Sequence, residues 1–586
     1  MSNFGETARI VEEIARVPVY YVVGYTHEKL VFMTSEEGIV DLWALDLKTR
    51  EKNRLTKVGV ILAAKPVPES SLVFYSVDAT KGREQHKLYA VDVSNGEQAL
   101  EVDIEPRRIF GVGWDGETVA FSSATSKSIE LWMAKKDGSA EKVLDTDKII
   151  IVSDVKKNFI AGSGHLRDDP RSMELFFYDM DSGEFKEYTI KEGSTNKEPV
   201  LKNGQALFAT NAHGKEKLMI LDLDTMKVSE PELKGKDYKT RDITEYINYG
   251  WTDNGLIWFI GKKNGQTYLY LDGNEISLPE GYSSNAVFIR NKVYLDRSSL
   301  VDPPQIVSVD LKSGVMKALV KSEISEELKA RLGKVEFVKV KSFDGVEVPT
   351  FVVESRTAPK PGPSVVYVHG GPWSEVANSW SSFIEVLVAS GYHVIAPNFR
   401  GSTGYGEEYR QMDIGDPGGG DLNDVVAAAE WAREAKIASK IAIMGYSYGG
   451  FMTFLATAKK PEVWDAGVAG AGITDWEEMY QLADALFKKF EDILFDYKKE
   501  LWRDRSAAYF VENVKAPLCI IHPQNDTRTP LKPILRYVSK LLELDKTFEV
   551  HIVPDIGHAP RRVRDLIKIC LPAISFLDEY LKCEKP

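Results

Sequence analysis

The chain has 586 residues and a mass of 65.6 kDa, which exceeds the usual size of one domain and predicts two large ones. Hydrophobic residues make up 43% and charged residues 27%, an ordinary globular composition that excludes disordered and fibrous proteins. The formal net charge is −13 and no basic stripe interrupts it, so nucleic acid is not expected as a partner.

The cysteine content and the N-terminus indicate the compartment. Three cysteines, Cys519, Cys570 and Cys583, are too few for a disulfide framework and favour a reducing environment. Three glutamates interrupt the first sixteen residues, so these lack the apolar core of a secretory signal. No run of about 18 apolar residues suits a transmembrane helix. We therefore expect a cytoplasmic protein that does not act at a membrane.

The chain begins with a predicted helix. Ile10, Val11, Ile14 and Ala15 form an apolar stripe at helical spacing, and Pro18 ends it. Such a stripe has to be buried against another part of the protein. We therefore expect residues 1–20 to form an N-terminal helix that packs on the C-terminal domain.

From about residue 20 to residue 320 the sequence repeats itself. The unit is a run of four apolar residues followed by a turn. Seven copies, 38 to 50 residues apart, begin at Leu42, Leu88, Leu131, Leu175, Leu218, Tyr268 and Ile306. A second apolar run precedes most copies, and the two runs predict neighbouring antiparallel strands. Seven such units predict a seven-bladed β-propeller over residues 21–322, in preference to an irregular all-β sandwich.

After about residue 335, short apolar runs alternate with helical stretches. The expected strands are 365–368, 393–396, 441–444, 518–521 and 548–553. Strands that are apolar on both faces and separated by helices predict a mainly parallel sheet flanked by helices over residues 323–586. A short polar helix is expected between the two domains, from Ser322 to Leu332.

The hexapeptide Gly445-Tyr446-Ser447-Tyr448-Gly449-Gly450 lies between a predicted strand and a predicted helix. In a strand, turn and helix of this kind, the sharp turn projects a serine hydroxyl, and glycines are needed where side chains would collide with backbone. The pattern predicts Ser447 as the nucleophile of an α/β-hydrolase domain.

A serine hydroxyl needs a base to accept its proton. Of nine histidines, only His558 lies in a loop beyond the last predicted strand, where the hydrolase order of serine, acid and histidine places the base. Asp526 follows the preceding strand and is the predicted acid. Asp555, only three residues from His558, is the alternative. The remaining interpretation is that Ser447, Asp526 and His558 are surface residues that follow this order by coincidence.

The segment His369-Gly370-Gly371-Pro372 follows a predicted strand and matches the glycine loop that supplies an oxyanion hole. We predict that the backbone N–H groups of Gly371 and Tyr448 bind the developing oxyanion. A phosphate-binding role would need a lysine or a helix N-terminus after the glycines, and the segment that follows offers neither clearly.

At these residues the chain resembles the prolyl oligopeptidase family of serine peptidases, and within it the acylaminoacyl peptidases, also called acylpeptide hydrolases. The resemblance covers nearly the whole length and is carried by HGGP at 369–372, NFRGSTGYG at 398–406, GYSYGG at 445–450, DTRTP at 526–530 and GH at 557–558. It implies cleavage of peptide or ester bonds through an acyl-enzyme, a propeller that restricts access to short peptides, and a homo-oligomer, commonly a dimer.

The resemblance also implies residues that bind the substrate. The apolar pocket for the residue whose carbonyl is attacked is assigned to Ile473, Trp476, Phe487, Phe490 and Leu494. Three of these lie at helical spacing, so an ordinary core stripe is the alternative. Arg528 is expected to bind a substrate carbonyl or the blocking acyl group, with a salt bridge as the alternative. A glutamate pair that grips a free N-terminus, as in the dipeptidyl branch, cannot be placed, because Glu36-Glu37 lies in an apparent hairpin turn.

The first hypothesis is a serine exopeptidase that releases N-acylated amino acids, such as N-acetyl residues, from short N-blocked peptides, with accompanying esterase activity. A dipeptidyl peptidase, an oligopeptidase or a carboxylesterase with the same triad is the second. A propeller scaffold with an inert hydrolase domain is the third. No Cys/His cluster has the spacing of metal ligands and no nucleotide fingerprint is present, so neither a metal nor a cofactor is expected.

Overall fold

The computed structural model describes residues 2–58 and 60–582. Helix α1 (Ser2–Ala15) comes first and is followed by seven four-stranded antiparallel sheets and one eight-stranded sheet. The predicted architecture, a seven-bladed β-propeller followed by an α/β-hydrolase domain, is confirmed. Cys583 lies outside the described residues, and none of the described helices is long and apolar enough to cross a bilayer.

Each propeller blade is built from four consecutive strands. In chain order they are β1 (Tyr20–Thr26), β2 (Lys29–Thr34), β3 (Asp41–Asp46) and β4 (Lys52–Arg54); β5 (Ile61–Lys65), β6 (Leu72–Asp78), β7 (His86–Asp92) and β8 (Gln98–Glu101); β9 (Arg108–Trp114), β10 (Thr118–Ala124), β11 (Ile129–Lys135) and β12 (Ala140–Thr146); β13 (Ile149–Lys156), β14 (Phe159–His165), β15 (Glu174–Asp179) and β16 (Phe185–Tyr188); β17 (Asn196–Lys202), β18 (Gln205–Thr210), β19 (Lys217–Asp222) and β20 (Val228–Ser229); β21 (Glu245–Trp251), β22 (Ile257–Lys263), β23 (Gln266–Leu271) and β24 (Asn274–Ile276); β25 (Ala286–Ile289), β26 (Lys292–Arg297), β27 (Gln305–Asp310) and β28 (Met316–Lys321). All seven repeated apolar runs form the third strand of a blade.

The propeller ring closes without a shared sheet. In the described part of the chain, the first and last blades each keep their own four strands. Tyr20 and Phe32 of the first blade instead pack in one apolar cluster with Val287 and Ile306 of the last. Burial of these side chains, rather than strand exchange, therefore holds the two ends of the ring together.

The second domain has its eight strands in the spatial order β29, β30, β32, β31, β33, β34, β35, β36, with the last six parallel. These strands are β29 (Lys334–Lys341), β30 (Glu347–Glu354), β31 (Gly362–Val368), β32 (His393–Pro397), β33 (Ala438–Tyr446), β34 (Ala466–Gly470), β35 (Leu518–Pro523) and β36 (Phe548–Val553). The helices are α2 (Glu326–Arg331), α3 (Ser382–Ala389), α4 (Glu407–Arg410), α5 (Gly420–Glu434), α6 (Tyr448–Lys459), α7 (Trp476–Leu482), α8 (Ala485–Leu494), α9 (Leu531–Glu543) and α10 (Val563–Leu577).

Strand β34 was not predicted, because its sequence AGVAG lacks the bulky β-branched residues typical of strands. Its small residues are required by close packing. A Cβ atom on Gly470 would lie 2.5 Å from the ring of Tyr446, and one on Gly467 would lie 2.8 Å from Leu518. Tertiary packing therefore overrides strand propensity at the centre of this sheet.

Helix α1 packs against α10 and α3 of the second domain. Val11 and Ile14 are completely buried in a cluster that also contains Ile574 and Leu577. The hydroxyl of Thr7 donates a hydrogen bond to Asp578 at 3.1 Å. The stripe predicted from the sequence thus faces the second domain, while the propeller begins at β1.

We expect Ile14→Ala to lower the free energy of unfolding by about 2 to 4 kcal/mol, because it leaves a cavity between α1 and the second domain. Phe4, on the same helix, is 59% exposed, so Phe4→Ala should change stability by no more than about 0.5 kcal/mol. Denaturant unfolding of both variants is the measurement. Equal losses in the two would contradict the docked position of the helix.

Candidate active site

Ser447 occupies the sharp turn between β33 and α6. Its backbone has φ 60° and ψ −120°, a conformation that non-glycine residues rarely adopt. A Cβ atom on Gly449 would lie 2.0 Å from the carbonyl oxygen of Val368, and one on Gly445 would lie 2.4 Å from the backbone of Gly449. Both positions therefore need glycine, and together they allow the turn to present the Ser447 hydroxyl.

The structure brings the three predicted triad residues together. His558 Nε2 lies 2.8 Å from Ser447 Oγ, and His558 Nδ1 lies 2.8 Å from Asp526 Oδ2. Because a carboxylate only accepts hydrogen bonds, Nδ1 carries the proton, which leaves Nε2 to accept the serine hydroxyl. Ser447 follows β33, Asp526 follows β35 and His558 follows β36, so all three lie at the carboxyl edge of the sheet.

Asp526 is held as an ionised acceptor. Its carboxylate accepts the backbone N–H groups of Arg528 and Thr529, both at 2.9 Å, and the Thr529 hydroxyl at 2.8 Å. Burial alone would raise the pKa of Asp526, but the charge and hydrogen bond of His558 outweigh burial and lower this pKa to about 2. At neutral pH the carboxylate is therefore charged and suited to stabilise an imidazolium.

Asp555, the alternative acid, does not contact His558. Its side chain is exposed and pairs with Lys81 of the propeller at 3.0 Å. The difference from Asp526 follows from backbone direction, because Asp555 has φ 61° in the turn after β36. Nearness in sequence to His558 therefore does not bring its carboxylate to the imidazole.

The glycine loop after β31 lies over the nucleophile. A Cβ atom on Gly370 would be 3.9 Å from Ser447 Oγ, and Gly371 has φ +126°. In the described part of the chain, neither the Gly371 amide nor the Tyr448 amide has a hydrogen-bond acceptor. Both N–H groups are thus available beside the serine, as an oxyanion hole requires.

His369 anchors this loop rather than joining the triad. Its Nε2 lies 2.9 Å from the Ser402 hydroxyl, and its ring stacks on Phe399 with the centroids 4.3 Å apart. Burial lowers the pKa of His369 to about 4, so the ring is neutral at physiological pH. The Tyr448 side chain is fixed in a similar way, because its hydroxyl donates to the buried Asp421 at 2.5 Å.

The five predicted pocket residues fall into two groups. Phe487 and Phe490 are only partly buried, and the Phe490 ring lies 5.4 Å from that of Trp373, which follows the glycine loop. Ile473, Trp476 and Leu494 are instead buried in the core behind this wall, with 6%, 0% and 0% exposure. For these three the core alternative describes their surroundings better, since all three lie in one apolar cluster with residues of β31 and α6. Trp373 was not predicted, although its place directly after HGGP could have indicated it.

Arg528 is engaged in an ion pair across the domain boundary. Its Nε donates to both carboxylate oxygens of Glu84, at 3.0 and 2.9 Å. Arg108 pairs with the same carboxylate, and its Nη2 donates to Thr527 at 3.0 Å. Burial would raise the pKa of Glu84, but the two arginines outweigh it and lower this pKa to about 2. Glu84 and Arg108 were missed because they belong to the propeller, Glu84 in a loop and Arg108 at the start of β9, more than 400 residues before the triad acid.

One group in the described residues has the composition of a metal site. Ligand atoms of Cys519, Glu549 and His551 lie within 4.8 Å of one another on β35 and β36. This group could not be recognised from the sequence, because its members come from two different strands. None of the three belongs to the triad or contacts it. Glu549 and His551 also bond to each other at 3.1 Å.

Two family models match this chain. The model described as the prolyl oligopeptidase family matches residues 378–584, and the model described as the N-terminal domain of acylamino-acid-releasing enzyme-like proteins matches residues 31–307. The first covers most of the second domain with all three triad residues, and the second covers most of the propeller. Together they account for most of the chain.

The individual proteins that this chain resembles include acylamino-acid-releasing enzymes and dipeptidyl peptidases. The human acylamino-acid-releasing enzyme is 31% identical over 37% of this chain and 31% of its own length. The dipeptidyl aminopeptidase BIII of Pseudoxanthomonas mexicana is 22% identical over 95% of this chain and 79% of its own length. Several other relatives are matched over only a third to a half of their own length. The structure of the Pyrococcus horikoshii acylaminoacyl peptidase shares the fold, with a TM-score of 0.71, 16% identity and 98% coverage of both chains.

We expect Asp526→Asn to lower kcat about 10⁴-fold, because the amide no longer holds the imidazole in the tautomer that accepts the serine proton. Asp555→Asn is the matched control and should retain wild-type activity. Steady-state hydrolysis of an activated aryl ester measures both. A comparable loss in the Asp555 variant would show that Asp526 has been wrongly assigned as the acid of the triad.

Proposed function

We propose that this chain, which belongs to the prolyl oligopeptidase family of serine peptidases, releases N-acylated amino acids from the N-terminus of short peptides and also hydrolyses simple esters. The observation that carries the proposal is that a complete triad lies beside a carboxylate with no free charge. Ser447, His558 and Asp526 are hydrogen-bonded in sequence, and Glu84 next to them is paired with arginine. A homodimer and a cytoplasmic location stay predictions from the resemblance and the composition.

The geometry supports acyl transfer in two stages. Ser447 Oγ attacks the substrate carbonyl carbon while its proton passes to His558 Nε2. The carbonyl oxygen becomes an oxyanion that the Gly371 and Tyr448 amides stabilise. The C–N bond then breaks, and His558 returns the proton to the leaving amine. Water repeats the sequence on the acyl-enzyme, which frees the N-acylated amino acid and restores the serine.

Preference for a blocked N-terminus follows from charge. A free ammonium group needs an uncompensated carboxylate near the reacting carbonyl, since burying it unpaired costs several kcal/mol. Glu84 is the propeller carboxylate in contact with the triad loops, and Arg108 and Arg528 already neutralise it. An N-acyl group carries no charge and needs no such partner, so it suits this site better than an amine does.

A dipeptidyl peptidase is the second candidate, because a relative of that kind matches most of the chain. The glutamate pair considered for this role does not favour it. Glu36 accepts a hydrogen bond from the Tyr20 hydroxyl at 2.7 Å and pairs with Lys52 within the first blade. Its carboxylate is therefore satisfied inside the propeller.

Hydrolysis of an N-acetylated apolar aminoacyl anilide should exceed that of its free-amine counterpart, with a short-chain aryl ester also turned over. Ser447→Ala should cost about 10⁶ in kcat on each, because the nucleophile is lost. Steady-state rates of the purified protein and the variant are the measurement. Preference for the free amine would favour a dipeptidyl peptidase, hydrolysis of the ester alone would favour a carboxylesterase, and unchanged rates in the variant would exclude Ser447 as nucleophile.

Arg528→Met should raise the ratio of kcat/KM for the free-amine anilide to that for the acetylated anilide by about tenfold, because the variant removes one of the two cations that pair with Glu84 and oppose an ammonium group. Arg171→Met is the matched control, since Arg171 also crosses the domain boundary, where it donates to Ile414 O at 3.0 Å, but contacts neither Glu84 nor the triad. The ratio should not change in this control. An unchanged ratio in the Arg528 variant would show that charge at Glu84 is not the basis of selectivity.

A further inference from the structure

Arg561 lies three residues beyond His558, in the loop that leads into α10. Both residues line one cavity between the second domain and the second propeller blade. Lys81, Gly82 and Glu84 form the propeller side of its wall. The cavity has a volume of about 40 Å³, which is room for two or three waters or for one carboxylate group.

The guanidinium of Arg561 has no protein partner in the described residues. It makes no ion pair, none of its five N–H donors has a protein acceptor, and its Nε is buried. Polar groups in such positions are nearly always hydrogen-bonded, because an unmet donor keeps the full cost of losing water. The buried Nε of Arg561 is therefore free to donate to a group that is not part of this chain.

The acidic groups around Arg561 are already engaged. Glu84 pairs with two other arginines, Asp555 pairs with Lys81 at 3.0 Å, and Asp565 pairs with Arg564 at 3.7 Å. Asp78 accepts the backbone N–H of Thr80 at 2.8 Å. Arg561 is therefore left without an ion-pair partner on this wall.

Arg562, the neighbouring arginine, also has no ion pair in the described part of the chain, but its environment differs. It lines the same cavity, but it also reaches a second, open pocket on the outer surface, which Arg16 and Arg564 also line. Solvent can satisfy its donors there. Of the two arginines, Arg561 is the one whose Nε is buried without a partner.

We propose that Arg561 binds the free C-terminal carboxylate of a short N-blocked peptide while its N-terminal residue is being released. This inference rests on the proposed function. A blocked peptide has lost its amino charge, so the carboxylate is the one charge that its main chain always carries. A guanidinium pairs with a carboxylate through two parallel hydrogen bonds, which fixes both position and orientation.

The position of Arg561 also fits the leaving part of the substrate. His558 gives its proton to the leaving amine, so the departing peptide passes beside the imidazole. Three residues of chain span at most about 11 Å, which limits the separation of the His558 and Arg561 Cα atoms. A leaving peptide of one to three residues can bridge that distance, whereas the carboxylate of a longer one cannot stay close to Arg561 in an extended form. Arg561 would therefore select for short substrates as well as for charge.

The test compares two N-acetylated tripeptides that differ only at the C-terminus, one a free acid and the other its amide. In the wild type, kcat/KM for the acid should exceed that for the amide by about 10-fold to 100-fold, the range expected for a charged hydrogen-bonded pair. Arg561→Met should bring this ratio close to one, and Arg561→Lys should recover part of it. Arg564→Met is the matched control, because Arg564 is exposed and lines the outer pocket rather than this cavity, and it should keep the wild-type ratio.

A ratio near one in the wild type, or a ratio that Arg561→Met leaves intact, would overturn the proposal. Because the ratio is taken within each variant, partial loss of folded protein cancels out. The acetylated anilide, which has no carboxylate, separates this proposal from the one on which it rests. If the wild type hydrolyses that anilide but does not distinguish acid from amide, only the role of Arg561 fails. If it hydrolyses no acetylated substrate, the proposed function itself fails.

Discussion

The active site depends on the parallel register of β33, β34, β35 and β36. Each strand in this part of the sheet ends at the same edge, so the loops that follow β33, β35 and β36 meet there although they are far apart in sequence. The hydrogen bonds from Ser447 through His558 to Asp526 are only possible because this edge is common. Small residues in β34 make the register possible, since larger ones would collide with Tyr446 and Leu518. A packing constraint in the core thus fixes catalytic distances of 2.8 Å at the surface of the sheet.

The propeller contacts the loops that form the site. Lys262 of β22 pairs at 2.8 Å with Glu375, which follows the glycine loop. Arg108 donates to Thr527 beside the triad acid, and Gly82 approaches Gly557 so closely that a Cβ atom on it would lie 2.0 Å from the Gly557 nitrogen. Buried ion pairs contribute little net stability because both partners lose hydration. Their value here is positional, since each fixes a loop whose placement the reaction needs.

The sequence predicted those parts of the site that are set by local geometry. Ser447 could be identified because a turn with glycines on both sides is a local pattern, and Asp526 and His558 because each follows a strand. Glu84 and Arg108 could not be identified, because their role arises from the packing of one domain on another. The predicted pocket residues fall into two groups for a related reason. Helical spacing on α8 gives the face that is buried, but it cannot separate Phe490, which borders the site, from Leu494, which lies behind it.

In the proposed function, charge on the two sides of the domain boundary gives this site its selectivity. The protein as a whole has a net charge of −13, yet three arginines, Arg108, Arg528 and Arg561, surround a single propeller carboxylate beside the triad. Discrimination between substrates needs a feature that the wrong substrate meets unfavourably as well as one that the right substrate meets favourably. In the proposed function the site supplies both, because Glu84 offers no free charge to an ammonium group and Arg561 offers its guanidinium to a carboxylate. A peptide that has lost its amino charge and kept its carboxyl charge is then the substrate that this arrangement favours.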